Sequence, residues 1–260
     1  MISYSHNFED VILARALGSI THGFYIDVGA ATPIHSSNTY AFYEHGWWGL
    51  VVDPLFRLWP QYRAEWERTR PRDLLAAVAA GKETGHTEFW VAGHMQCSTA
   101  SPETLAYFRK LGSQIPDHGT IVNVYSLTTI LDATATSVAA AGGPIHLLTV
   151  DVEGMELDVV QGLDLSRYRP WIILAEVTKP GTIELAPHAA PLYQYLCDKD
   201  YVRVLFDGTN EFYLDIEHIE LAKHFKLPLN CHDNFKLYRE VLLENRIKEL
   251  EEITNPAFGR

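Results

Sequence analysis

Phe24-Tyr25-Ile26-Asp27-Val28-Gly29-Ala30 is an apolar run broken by one carboxylate and closed by a glycine. Leu50-Val51-Val52-Asp53 and Leu147-Leu148-Thr149-Val150-Asp151-Val152-Glu153-Gly154 repeat the pattern: apolar residues that stop at acids. Short apolar runs of this kind read as buried strands. In an open parallel sheet, ligands and chemistry sit at the carboxyl ends of the strands. Three acid-tipped ends therefore predict an α/β fold that holds a nucleoside-type ligand across one pair of tips and works at a third.

Outward from these runs, helical and strand patterns alternate, as a layered α/β fold requires. Residues 7–17 read as a helix ended by Gly18; Ser36 or Ser37 can cap a helix that runs to Glu44, with Gly46 after it. Residues 56–68 read as a helix interrupted at Pro60, and 74–79 as a buried strand. Residues 88–91 read as an edge strand and 120–125 as a further strand. Ser101-Pro102-Glu103 is a strong helix start, and that helix ends at Gly112. Residues 127–131 read as a short helix and 134–143, small and polar, as a loop. Strands follow at 145–150 and 171–176, then a helix at 191–197. A hairpin turns at Asp207-Gly208-Thr209-Asn210. Residues 233–253 read as one charged helix, either a packed tail or a dimer arm. The sum is about seven core strands, parallel until a final antiparallel hairpin. This is the Rossmann-like arrangement associated with class I methyltransferases that use S-adenosylmethionine. The expected division is a main domain over residues 1–230 and a helical tail over 231–260.

Bulk properties exclude several classes. The 260 residues carry a formal net charge of −12, which disfavours nucleic acid as a partner, because phosphate neutralisation needs clustered Lys and Arg. No apolar run approaches the roughly 20 residues of a membrane span, so no membrane insertion is expected. The acidic N-terminus lacks a signal-peptide core. Cys97, Cys197 and Cys231 are odd in number and widely spaced, as expected of reduced thiols in a cytoplasmic protein.

Gly29 allows close approach of backbone to a ligand. A dinucleotide fingerprint would continue G-x-G-x-x-G, yet the chain continues Ala30-Ala31-Thr32-Pro33, which speaks against a pyrophosphate cradle and a nucleotide oxidoreductase. S-adenosylmethionine carries no phosphate. Asp27 is placed for its amino-acid end and Asp53 for its ribose hydroxyls.

Further segments extend the pattern. Ser3-Tyr4-Ser5-His6-Asn7-Phe8-Glu9-Asp10-Val11, Gly23 through Ala30, Ser37-Asn38-Thr39 and Phe42-Tyr43-Glu44-His45-Gly46-Trp47-Trp48-Gly49 resemble the FkbM family of methyltransferases. So do Asp151-Val152-Glu153-Gly154-Met155-Glu156, Arg169-Pro170-Trp171 leading to Glu176, and Phe206-Asp207-Gly208-Thr209-Asn210-Glu211-Phe212-Tyr213. Pro228-Leu229-Asn230 before Asp233-Asn234-Phe235 completes the order. The resemblance implies a class I methyltransferase fold, S-adenosylmethionine as donor, and O-methylation of a sugar or glycan hydroxyl. It places Asp27, Gly29, Ala30, Ser37, Asn38 and Asp53 at the cofactor. The chain departs from the family at His6, Asp53, Thr149 and Met155, where members commonly carry Gln, Glu, Lys and Trp. Asp53 keeps the carboxylate; Thr149 removes a cation beside Asp151.

A sugar hydroxyl is a poor nucleophile at neutral pH and needs a base or a metal. Asp151, Glu153 and Glu176 stand at adjacent strand ends. They could supply a base and acceptors for sugar hydroxyls, or could bind Mg²⁺; no residue is assigned as a metal ligand. Glu156 reads as a helix-dipole partner. His35 and His188 are candidates for taking the acceptor proton. Asn210 could bond acceptor or cofactor, while Trp47, Trp48 and Trp59 read as core. The leading expectation is thus an S-adenosylmethionine-dependent O-methyltransferase acting on a saccharide acceptor, with a homodimer through the C-terminal helix compatible with the pattern. The alternative is a catalytically inactive methyltransferase-like scaffold that binds a glycan or a partner enzyme.

Overall fold

The computed structural model describes residues 1–93, 97–141 and 143–254. Its elements in order are β1 (Ile2–Ser3), α1 (Glu9–Leu17), β2 (Phe24–Val28), α2 (Tyr40–Glu44), β3 (Trp48–Val52), α3 (Leu55–Leu58), α4 (Pro60–Thr69), β4 (Leu74–Ala76), β5 (Ala79–Gly81), β6 (Gly85–Phe89), α5 (Pro102–Lys110) and β7 (Thr120–Ser126). Then come α6 (Leu127–Ala141), β8 (Leu147–Val150), α7 (Glu156–Gln161), β9 (Ile172–Glu176), α8 (Ala189–Cys197), β10 (Tyr201–Phe206), β11 (Asn210–Asp215), β12 (Lys236–Leu237) and α9 (Tyr238–Thr254). Short 3-10 turns cover Ile216–Phe225 and Cys231–Asp233.

The architecture is mixed α/β. The main sheet runs β10-β11-β9-β8-β2-β3-β4. Its strands from β9 to β4 pair in parallel, and β11 is antiparallel to both its neighbours. Side-chain alternation divides the core. Phe24, Ile26 and Val28 pack on one face with Leu50, Val52, Leu148 and Val150. Tyr25 packs on the other with Phe42, Trp47, Leu147 and Leu174. The period of two puts Asp27 on the face of Tyr25, which matters below.

Register fixes the acidic tips. Asp27 lies opposite Val51 on one side and Thr149 on the other, and Glu176 lies opposite Asn210. The ladder continues past the strands: Gly29 N donates to Val52 O at 3.0 Å, Asp151 N to Val28 O at 3.0 Å, and Asp53 N to Ala76 O at 3.1 Å. The tips are therefore anchored backbone rather than free loop.

Several boundaries differ from the sequence reading. The single strand expected over 74–79 is two, because the chain leaves the main sheet after β4 and β5 joins β7 and β6 in a separate three-stranded sheet. The strand at 120–126 belongs there too; only Val122 in it is buried, as suits a sheet covered on one face. The loop expected from Thr134 is instead the second half of α6, which continues to Ala141, because alanine is the best helix former and the segment is rich in it; Gly142 lies outside the described residues. The C-terminal helix begins at Tyr238 rather than Asp233. Asn230 and Asp233 close a capping box, and Asn234 takes a left-handed φ of 48° that stops the turn from propagating. The helix interruption falls at Trp59, whose extended backbone is what a residue before proline favours. No helix among the described residues is long and apolar enough to cross a membrane.

Candidate active site

Two cavities meet above the tips of β2, β3 and β8. The first, of about 390 Å³, is walled by Val52, Asp53 and Leu55 on one side and by Ala79, Ala80 and Phe89 of the small sheet on the other. The second, of about 410 Å³, takes in Asp27, Ser37 and Asn38 on one side and Glu9, Glu176 and Asn210 on the other. Gly29, Ala31, Asp151 and Glu153 line both. Gly29 is the pivot: its φ is +78°, and a Cβ there would stand 1.8 Å from the carbonyl oxygen of Asp151. Only glycine lets β2 and β8 close this near to each other.

Asp53 is 4% exposed. Its Oδ1 accepts from Leu55 N at 2.8 Å and its Oδ2 from Tyr62 Oη at 3.3 Å. Burial pushes its carboxyl up to about 7. Asp27 is equally buried, and burial pushes it up to about 6, opposed by the nearby Arg70 and by the Thr39 hydroxyl that donates to it at 2.6 Å. The loop after β2 is held in left-handed conformations at Gly29, Ala31 and Ser36. Non-glycine residues take that conformation at a cost, and such residues cluster at ligand sites.

The third acidic tip is the most crowded. Asp151, Glu156 and Glu176 each bring a carboxylate oxygen within 4.8 Å of the others. Asp151 is exposed at the cavity yet ringed by protein; burial first, then Glu156, Glu9 and Asp27, push it up to about 7. Burial, then Asp151, Glu153 and Glu156, push Glu176 up to about 11. Glu176 and Asp151 lie close enough that the two carboxyls do not both carry charge near neutral pH. Glu153 is held well above the usual carboxylate range by burial and by Asp151, and its Oε2 is buried without a hydrogen bond among the described residues.

The three carboxylates satisfy the spacing of a cation site, but one of them is already engaged. Glu156 Oε1 accepts from Val152 N at 3.1 Å and Gly154 N at 3.0 Å, and Oε2 accepts from Gly154 N at 3.1 Å and faces His188 Nε2 at 3.0 Å. Its lone pairs are engaged in bracing the loop, as its place in the first turn of α7 suggests. Asp151 and Glu176 alone are left.

The sequence-predicted residues fall into three groups. Asp27, Gly29, Ala30, Ser37, Asn38, Asp151, Glu153 and Glu176 line the second cavity, and Asp53 lines the first. His188 stands behind Glu156, its Nε2 also 3.1 Å from the carbonyl of Glu176, and lines neither cavity. His35 is exposed, packs on Tyr238 with ring centroids 5.1 Å apart, and also lines neither. Trp47 is buried in the core. Glu9 went unassigned in the sequence reading. It is buried, raised to about 7 by burial, lines the second cavity, and accepts from Asn210 Nδ2 at 2.8 Å. Its only sequence signal was its place beside Asn7 and Phe8 in the N-terminal segment.

No curated protein matches this chain. One solved structure similar to it is a methyltransferase FkbM from Methylobacillus flagellatus KT, 14% identical, with 74% of this chain and 43% of that chain covered and a TM-score of 0.43. The chain thus spans less than half the length of that protein, and a likeness at this level carries no argument. The model of the methyltransferase FkbM domain matches residues 27–203, from Asp27 at the tip of β2 to Arg203 in β10. That match covers well over half of the sequence and both cavities' acidic tips, and the chain belongs to the FkbM methyltransferase family.

Proposed function

We propose that the chain is an S-adenosylmethionine-dependent O-methyltransferase whose acceptor is a hydroxyl of a sugar or glycan. The observation that carries this reading is the meeting of two cavities at Gly29 and Asp151, with Asp53 lining the first, Asp27 the second and Asp151 both. The residues fit the donor. Asp53 faces the first cavity for ribose hydroxyls, and Asp27 faces the second for an ammonium group. The Gly29 turn continues without the further glycines of a pyrophosphate cradle.

S-adenosylmethionine, when bound, supplies a methyl group already activated on a positively charged sulfur. The protein's part is alignment and proton removal. Asp151, pushed up to about 7, is placed to take the proton that the acceptor hydroxyl loses. Glu176 beside it keeps two adjacent carboxyls from both carrying charge. Glu9, Asn210 and the Thr149 side of the cavity offer acceptors and donors for the remaining hydroxyls of a polyol.

The test is transfer of radiolabelled methyl from S-adenosylmethionine to a panel of neutral sugars and glycans, followed by alkali. Label that survives alkali is a methyl ether and supports the reading. Label released by alkali is a carboxyl ester and contradicts it; S-adenosylhomocysteine binding with no transfer across the panel favours the inactive scaffold.

A further inference from the structure

Arg70 follows the last turn of α4, and its side chain is wholly buried. All of its donors find partners. Nε donates to Asp73 Oδ2 at 2.7 Å, Nη1 to Pro33 O and Ser37 Oγ at 3.3 Å each, and Nη2 to Tyr25 Oη at 2.6 Å and Thr39 Oγ1 at 2.9 Å. Asp73 in turn accepts from Tyr25 Oη at 2.7 Å and from Gly49 N at 2.9 Å. The guanidinium also lies over the Trp66 ring, 4.7 Å from its centroid. A buried guanidinium fixed on five partners is a rigid point in the fold, because its planar fork leaves little freedom.

Three of those partners, Pro33, Ser37 and Thr39, belong to the loop that leads out of Gly29. Tyr25 is two residues from Asp27 on the same face of β2. Thr39 joins the two halves. A guanidinium only donates, so the Thr39 oxygen accepts from Arg70 and its hydroxyl proton points away, to Asp27 Oδ2. That leaves Asp27 Oδ1, to which the described residues give no hydrogen bond, for the ammonium of the donor.

We propose that Arg70 is a positioning residue for the amino-acid end of the donor: through Thr39 it orients the Asp27 carboxylate, and through Pro33 and Ser37 it holds the loop beside it. The nucleoside end is outside its reach, because Asp53 is oriented by Leu55 and Tyr62 instead. The inference rests on the donor-site reading above and deepens it.

This separation of the two ends supplies the test. S-adenosylhomocysteine carries both nucleoside and amino acid; 5′-methylthioadenosine carries the nucleoside and the sulfur but no amino acid. Calorimetry with both is done on wild type, Thr39→Val, which keeps shape and loses the hydroxyl, and Thr39→Ser, which keeps the hydroxyl. Arg70→Lys is a second probe of the same link; removal of the charge altogether would strand buried Asp73. Thr39→Val should weaken S-adenosylhomocysteine on the order of tenfold, the worth of one charge-assisted hydrogen bond, with 5′-methylthioadenosine unchanged. Thr39→Ser should restore wild-type affinity for both, and Arg70→Lys should fall with Thr39→Val in selectivity. Equal weakening of both ligands by Thr39→Val, or no weakening of either, overturns the inference alone. Wild-type protein that binds neither ligand overturns the donor-site reading and the inference with it.

Discussion

At the scale of the residue, the proposed function rests on carboxylates whose ionisation is shifted by where the fold puts them. Asp27→Asn removes the charge that faces the donor ammonium and should weaken S-adenosylhomocysteine by about ten- to a hundredfold. Calorimetry that finds affinity unchanged would remove Asp27 from the donor site. Asp151→Asn should lower turnover by roughly a hundredfold or more, the usual worth of a general base, with donor affinity nearly constant. Steady-state kinetics on the methylated acceptor checks this, and unchanged turnover would exclude Asp151 as the base. These residues were legible because Asp27 interrupts an apolar strand run and Asp151 ends one. Glu9 and Arg70 were not. Glu9 sits in the first turn of α1, where an acid has an ordinary helix-dipole explanation. Arg70 is one of 21 basic residues, and nothing local in the sequence separates the buried one from the rest. Histidine misled for a related reason: loop position next to a strand end says where the backbone goes, and His35 turns instead onto Tyr238.

At the scale of the element, the site exists because β2 and β8 come close enough for both cavities to share one wall. Gly29→Ala puts a Cβ against the Asp151 carbonyl and places alanine at a φ of +78°. It should cost about 1–3 kcal/mol in strain and displace the tip of β8, so that donor affinity falls along with chemical-denaturation stability. Retention of both would mean the contact yields without consequence. The central strands were readable from their Val, Ile and Leu runs. Strands were also readable at 120–125 and 88–91, but not that they join β5 in a small sheet separate from the main one, because β5 is Ala79-Ala80-Gly81, which has neither β-branched bulk nor alternation. Yet the small sheet supplies one wall of the first cavity. The second half of α6 was hidden by the opposite ambiguity, since its Thr and Ser residues also favour caps and turns.

At the scale of the whole molecule, the acidic composition and the buried acids act together. Asp27, Asp53 and Asp151 ionise at about 6, 7 and 7 in the folded chain, against an ordinary 3.8. Between those values the folded state holds more protons than the unfolded one, so stability falls as pH rises through that window. Acids held low by ion pairs, such as Asp233 beside Arg15, titrate below it and do not offset the trend. The ligand-free protein should therefore melt higher near pH 5 than near pH 8, by roughly 5 °C or more for a chain of this size. Calorimetric scans that show melting temperature rising over this range would contradict the placement of the acids. The most direct measurement of the central claim is calorimetric titration of the purified protein with S-adenosylhomocysteine and, separately, with NAD, each in Mg²⁺ and in EDTA. Micromolar binding of S-adenosylhomocysteine, equal in Mg²⁺ and EDTA, with no binding of NAD, is the predicted result; binding of NAD alone would contradict it.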